Sequence, residues 1–172
     1  MESRGGIMST YKTFTVIPTV EDGTDYSDGD VLFSPTEISD FFPSKNSSAQ
    51  IVSLIVIDKV AANTSDFTLY FTPIATSFGT VNNTADAAIG VIEEVQATIP
   101  IANGDWISGN TDNANTCMLT DPATDGIGSI VSSYNWARNT FSTSLYIVGI
   151  ADETINCAST SDLIIRIGVK YN

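Results

Sequence analysis

Two kinds of hydrophobic spacing recur along the chain: strict alternation, and short runs in which both alternating sets are apolar. Ala49–Val60 is of the second kind, with Ile51, Ile55 and Ile57 on one side and Val52, Leu54 and Val56 on the other. It is rich in β-branched residues and free of Gly and Pro, so it reads as the central strand of the largest sheet, covered on both faces. Turn-forming residues follow, and Phe67–Thr72 then alternates with Phe67, Leu69 and Phe71 on one face, which predicts a hairpin with the preceding strand. Lys12–Val20 reads as a strand kept at an edge by Pro18. Val31–Phe33 is a short strand, and Ser34-Pro35-Thr36-Glu37 has the composition of a helix start. The spacing of Ile38, Phe41 and Phe42 predicts a helix over Pro35–Phe42 that plugs one end of the core and stops at Pro43.

In the second half, Ala85–Gly90 reads as a helical turn. Val91–Ile101 alternates with Val91, Val95, Ala97, Ile99 and Ile101 inward and Glu93 as the exception. Trp106-Ile107 and Gly128–Tyr134 are short strands. Ser142–Ile150 is apolar on both sides and therefore central, and Asp162–Tyr171 closes the chain with its clearest alternation. Gly109–Asp125, dominated by Asn, Thr and Asp, reads as a loop suited to contacting a partner. About eight strands separated by turn signals, with one short helix, define an all-β fold, an antiparallel β-sandwich or jelly roll. Residues 1–11 form a flexible N-terminal extension on this reading, and residues 12–172 a single β-sandwich domain.

Charge and chemistry narrow the function. The 172 residues carry 20 Asp and Glu against seven Lys and Arg, a net charge of −13, and no histidine. Such a balance repels phosphate-rich partners, so neither nucleic acid nor an anionic membrane surface is an expected partner. Without imidazole, the usual serine and cysteine hydrolase arrangements are impossible. Adjacent carboxylates such as Glu93-Glu94 or Asp152-Glu153 would point to opposite faces of a strand and could not flank one glycosidic bond. No catalytic, cofactor-binding or metal-binding residue is expected. The acidic stretch Glu21–Asp30 lacks the ligand spacing of a helix-loop-helix calcium site and reads as a solvated turn. Cys117 and Cys157 have no metal-ligand spacing and read as two unpaired thiols, with a single disulfide as the alternative in an oxidising compartment. Met1–Thr10 has no apolar central region, so no signal peptide is expected.

Tyr26-Ser27-Asp28-Gly29-Asp30-Val31-Leu32-Phe33, followed by Pro35-Thr36-Glu37-Ile38, resembles small virion proteins of tailed bacteriophages, particularly marine and cyanobacterial ones. Ser53–Lys59, Leu69-Tyr70-Phe71, Asn82-Asn83 with Asp86, Ser144–Val148 and Ser161-Asp162-Leu163 continue the likeness in order. The resemblance implies a head-associated structural protein without catalytic or cofactor residues. It would be made in the host cytoplasm and seated on the virion as a capsid decoration or cement protein. Its partners would be the major capsid protein and itself, as a homotrimer at local three-fold positions. A cement protein needs edge strands and arms that can augment a neighbour, so capsid contact is expected from Thr10, Tyr11, Lys12 and Phe14 of the first strand. Asn110, Asp112 and Asn115 of the polar loop complete that expected set. The alternative is a glycan-binding adhesion module on a head or tail fibre, with Trp106 and Trp136 as an exposed platform for sugar rings.

Overall fold

A computed structural model of the chain describes residues 10–23, 25–60, 66–108, 114–120, 127–135 and 140–171. Its strands in chain order begin with β1 (Thr10–Val16), β2 (Asp25–Tyr26), β3 (Val31–Ile38), β4 (Ser48–Asp58), β5 (Phe67–Thr72), β6 (Ala97–Ile101) and β7 (Trp106–Ser108). They continue with β8 (Asn115–Leu119), β9 (Ile130–Ser132), β10 (Tyr134–Asn135), β11 (Thr140–Phe141), β12 (Leu145–Ala151), β13 (Ile155–Asn156) and β14 (Leu163–Tyr171). The helix α1 (Ile89–Ile92) is a single turn.

Two antiparallel sheets carry the fold. One runs β1-β14-β4-β8-β7, with β9 also pairing β4, and the other runs β3-β12-β5-β6. In chain order β1 lies in the first sheet, β3 in the second, β4 in the first, β5 and β6 in the second, β8 in the first, β12 in the second and β14 in the first. This alternation, four principal strands to a sheet, is a jelly roll. Both inner faces are apolar because strand side chains alternate: Leu163, Ile165, Ile167 and Val169 of β14 meet Phe67, Leu69 and Phe71 of β5 and Leu145 and Ile147 of β12 in one core.

β4 is the central strand of its sheet, paired with β14 along one edge and with β8 and β9 along the other. Its parity differs from the expected one. Gly168 of β14 faces Ser53 and Val169 faces Ile51, so Val52 is an extra residue and the strand bulges there. Ile51 therefore shares the buried face with Leu54 and Val56, while Val52, Ile55 and Ile57 are only half-buried on the other face. No described element covers that face, whereas the sequence suggests a strand covered on both sides. Nor do β4 and β5 form a hairpin, since they sit in different sheets.

The expected helix over 35–42 is strand instead. β3 is an edge strand, where a proline costs little. Phe33 pairs with Gly149 and Thr36 with Ile147, so Ser34 and Pro35 together oppose Val148 in a bulge. The chain turns at Asp40 (φ 52°), and Ile38, Phe41 and Phe42 plug the core end as anticipated, without a helix.

Two further segments differ from the sequence reading. β6 starts only at Ala97, preceded by α1, and Glu94 rather than Glu93 is the buried acid, accepting a hydrogen bond from the Thr76 hydroxyl. Residues 73–96 between β5 and β6 fold over the outer face of the four-stranded sheet. Phe78, Val81, Val91 and Val95 pack there on Val31, Val148 and Tyr70 in a second apolar cluster.

Candidate interaction site

The expected contact strand β1 forms an edge. It pairs with β14 from Thr10↔Tyr171 to Val16↔Ile165, and no strand lies on its other side among the described residues. Phe14, expected as a contact residue, is instead buried in the core and with Val16 anchors the strand inward, whereas Thr10, Tyr11, Lys12 and Thr13 are exposed. Tyr11 is 66% exposed, a large ring in water with the backbone of an edge strand beside it. Thr10 and Tyr11 are thus strand residues, although the sequence places them in the extension.

The strand is fixed from below by aromatic packing. The Lys12 ammonium lies 4.3 Å from the Phe14 ring centroid and donates to the Asp40 carbonyl oxygen at 3.2 Å. Phe14 stacks on Phe41 at 4.9 Å, and Phe41 meets Phe42 edge-on at 5.0 Å. The Tyr171 hydroxyl donates to the Phe41 carbonyl oxygen, and burial raises the Tyr171 pKa. Above these contacts Thr10, Tyr11, Lys12, Asp40, Pro43 and Tyr171 line a cleft of about 300 Å³. Its place beside an unpaired strand edge suits a peptide segment that adds to β1 and seats a side chain.

The second half of the expected contact set is not assembled here. Asn115 is the first residue of β8, pairs with Asp58 and is buried. It lies in the core sheet and cannot face a partner. The polar composition of 109–125 hides a core strand, because Cys117 and Leu119 alternate inward with Asn115 while Thr116 and Met118 face out. Asn110 and Asp112 lie outside the described residues.

Trp106 is not a platform either. It is 8% exposed, with its ring 6.4 Å from that of Phe67 in the core, and Trp136 lies outside the described residues. An exposed ring, Phe141, and a half-buried one, Tyr134, meet elsewhere. Tyr134 and Phe141, paired across β10 and β11 with ring centroids 4.9 Å apart, line a cleft of about 560 Å³ with Asn46, Ser47, Ser48, Ser132 and Ser133. It has no charged lining residue. Several of its hydroxyls are committed: Ser133 donates to the Lys45 carbonyl oxygen at 2.8 Å, and Ser47 to that of Ser44 at 2.6 Å. No sequence signal separated these serines from the many others in the chain.

The buried acids hold turns. Asp162 accepts from the amides of Ala158 and Ser159, each at 2.7 Å, Asp58 from Val60 at 2.8 Å and Asp30 from Ser27 at 2.7 Å. Cys157 is buried near Asp58 and Asp162. Burial first, and then the two carboxylates, push its thiol up to about 12, which makes a reactive thiolate unavailable at neutral pH. Cys117 is buried as well. Among the described residues no group of three or more His, Cys, Asp or Glu is placed to hold a metal ion, and no helix is long and apolar enough to cross a membrane.

No family model and no curated protein matches the chain. Solved structures that it resembles include Cocksfoot mottle virus, at 11% identity over 100% of this chain and 89% of that one, with a TM-score of 0.34. Desmodium yellow mottle tymovirus gives 12% identity over 99% and 85%, with a TM-score of 0.29. A T=1 subviral particle of a Penaeus vannamei nodavirus capsid protein deletion mutant gives 12% over 96% and 97%, with a TM-score of 0.32. At these TM-scores the likenesses carry no argument about role, and the jelly roll rests on this chain's own strand pairing.

Proposed function

We propose that this protein is a non-enzymatic structural component of a virion, a decoration or cement protein on the outer head surface of a tailed bacteriophage, where it binds the major capsid protein. The observation that carries this reading is the architecture of its edge: a rigid jelly roll whose first strand has no partner on one side among the described residues, exposes Tyr11, and lies beside an apolar-floored cleft. Jelly rolls serve in viral capsids, and an edge strand with an adjacent cleft suits augmentation by a neighbouring chain. The homotrimer that the resemblance implies belongs to the same reading as the form seated on the capsid at local three-fold positions, not as the species free in solution. Co-sedimentation of the full chain and of a chain lacking residues 1–11 with matched phage capsids tests it. The truncation removes Thr10 and Tyr11 and should weaken particle binding at least about tenfold if they act as a binding hot spot. Undiminished binding by the truncated chain would sink the edge-strand contact.

The uncharged cleft at Tyr134 and Phe141 favours a second reading, a glycan-binding adhesion module. A ring pair beside hydroxyl and amide groups is the chemistry that takes a neutral sugar. On that reading the full chain does not pellet with capsids.

A further inference from the structure

The two outer faces of the sandwich are treated differently by the chain. Residues 73–96 cover the outer face of the four-stranded sheet, while no described element packs over the outer face of the six-stranded one. The register defines what this bare face presents. One row runs Ile164, Ile57, Thr116, Ile107 across β14, β4, β8 and β7. The next runs Thr15, Arg166, Ile55, Met118. Ile107 is 62% exposed and Met118 53%, and Ile55, Ile57 and Ile164 are half-buried.

The face is also anomalous in charge. The chain carries 20 acidic residues, yet none of the outward positions on the strands of this sheet is a carboxylate among the described residues, and the charges present are Arg166 and Lys170. A surface that meets a basic partner would keep its acids. One that must meet another copy of a −13 chain has to shed them, because facing carboxylates repel across a desolvated contact. Arg and Lys stems can lie along the apolar surface and carry their heads to the rim.

We propose that the outer face of the six-stranded sheet is a self-association surface on which a second copy packs face to face about a two-fold axis. A residue rise of about 3.3 Å and a strand spacing of about 4.8 Å make the five-strand face about 20 by 25 Å. Two copies then bury ~1,000 Å², the lower bound for a specific interface. Twisted sheets with β-branched faces pack in this way in the interior of sandwiches. The face includes the outward side of β1, where Tyr11 lies opposite Lys170, so the substitutions that test it are placed on β7 and β8, away from β1 and its cleft.

Sedimentation equilibrium of the full chain, without capsids, tests the proposal. The expected species is a dimer, and I107E combined with M118E should weaken it at least about tenfold, since both side chains would be desolvated at the contact. I89E, on an 81%-exposed side chain of α1 away from this face, serves as the control and should dimerise as the unaltered chain does. Both substituted side chains are exposed, and coincident thermal melts establish that the variants are folded. A monomer at all concentrations up to about 100 µM would overturn the proposal, since a Kd weaker than that is outside the range of specific interfaces. An oligomer of any size that the double substitution leaves intact would overturn it as well.

Discussion

Gly149 and Gly168 sit on interior strands of opposite sheets, and their surroundings give them different tolerances. A Cβ on Gly149 would lie 2.5 Å from Cε1 and 2.9 Å from Cζ of Phe33, a fully buried ring with no room to withdraw. On Gly168 it would press on the Ser53 hydroxyl oxygen, which can rotate to another staggered position. G149A should therefore cost about 1–3 kcal/mol through overpacking. G168A should cost under about 1 kcal/mol, one rotamer's worth of strain. Urea unfolding of both variants measures the difference, and equal losses would show that Phe33 yields.

Among the elements, the small sheet of β2 and β13 is held by groups that must stay neutral. Tyr26 pairs with Ile155, its hydroxyl accepts from the Glu21 amide at 2.6 Å, and Cys157 follows one residue after β13. Burial, partly offset by that hydrogen bond, holds Tyr26 up at about 12 against an ordinary 10.0. Cys157 stands at about 12 against 9.0. Both folded values exceed the unfolded ones, so the folded state keeps protons that the unfolded chain has released. Their contribution is complete below about pH 9 and is lost as pH rises toward 12. Unfolding free energy should accordingly be level through neutral pH and fall between pH 9 and 12 in denaturant titrations, and C157A should shallow that fall. A slope that C157A leaves unchanged would assign the alkaline loss to other groups.

At the scale of the whole molecule, charge is unevenly spent. With a net charge of −13 the folded chain repels itself, and added salt screens that repulsion because the Debye length falls with ionic strength. Raising NaCl from about 0.02 to about 0.3 M should raise the melting temperature at fixed protein concentration, as calorimetry can measure. A fall instead would mean that favourable charge pairs outweigh the net repulsion. The same repulsion gives the carboxylate-free sheet face its significance: it is where a chain this acidic can be approached by its own copy.

Much of this was written in the alternation of residues. The inward sets of β5 and β14, the central places of β4 and β12, and the all-β class follow from period-two spacing, because a half-buried strand has no other way to sort its side chains. The edge character of the first strand was also legible, from Pro18 at its end. Tertiary structure decided what local pattern could not carry. Ser34–Glu37 has helix-start chemistry, but a free position at a sheet edge outweighs a weak local preference, so Pro35 lies in a bulged strand. Polar Asn115–Leu119 is a core strand because β4 needs a partner on its second edge, and Trp106 is buried because β7 lines up beside it. The extra residue at Val52 reverses the parity of β4, which alternation cannot register, and so sends Ile55 and Ile57 outward. Only the pairing of distant strands gathers those residues with Ile107, Met118 and Ile164 into one face.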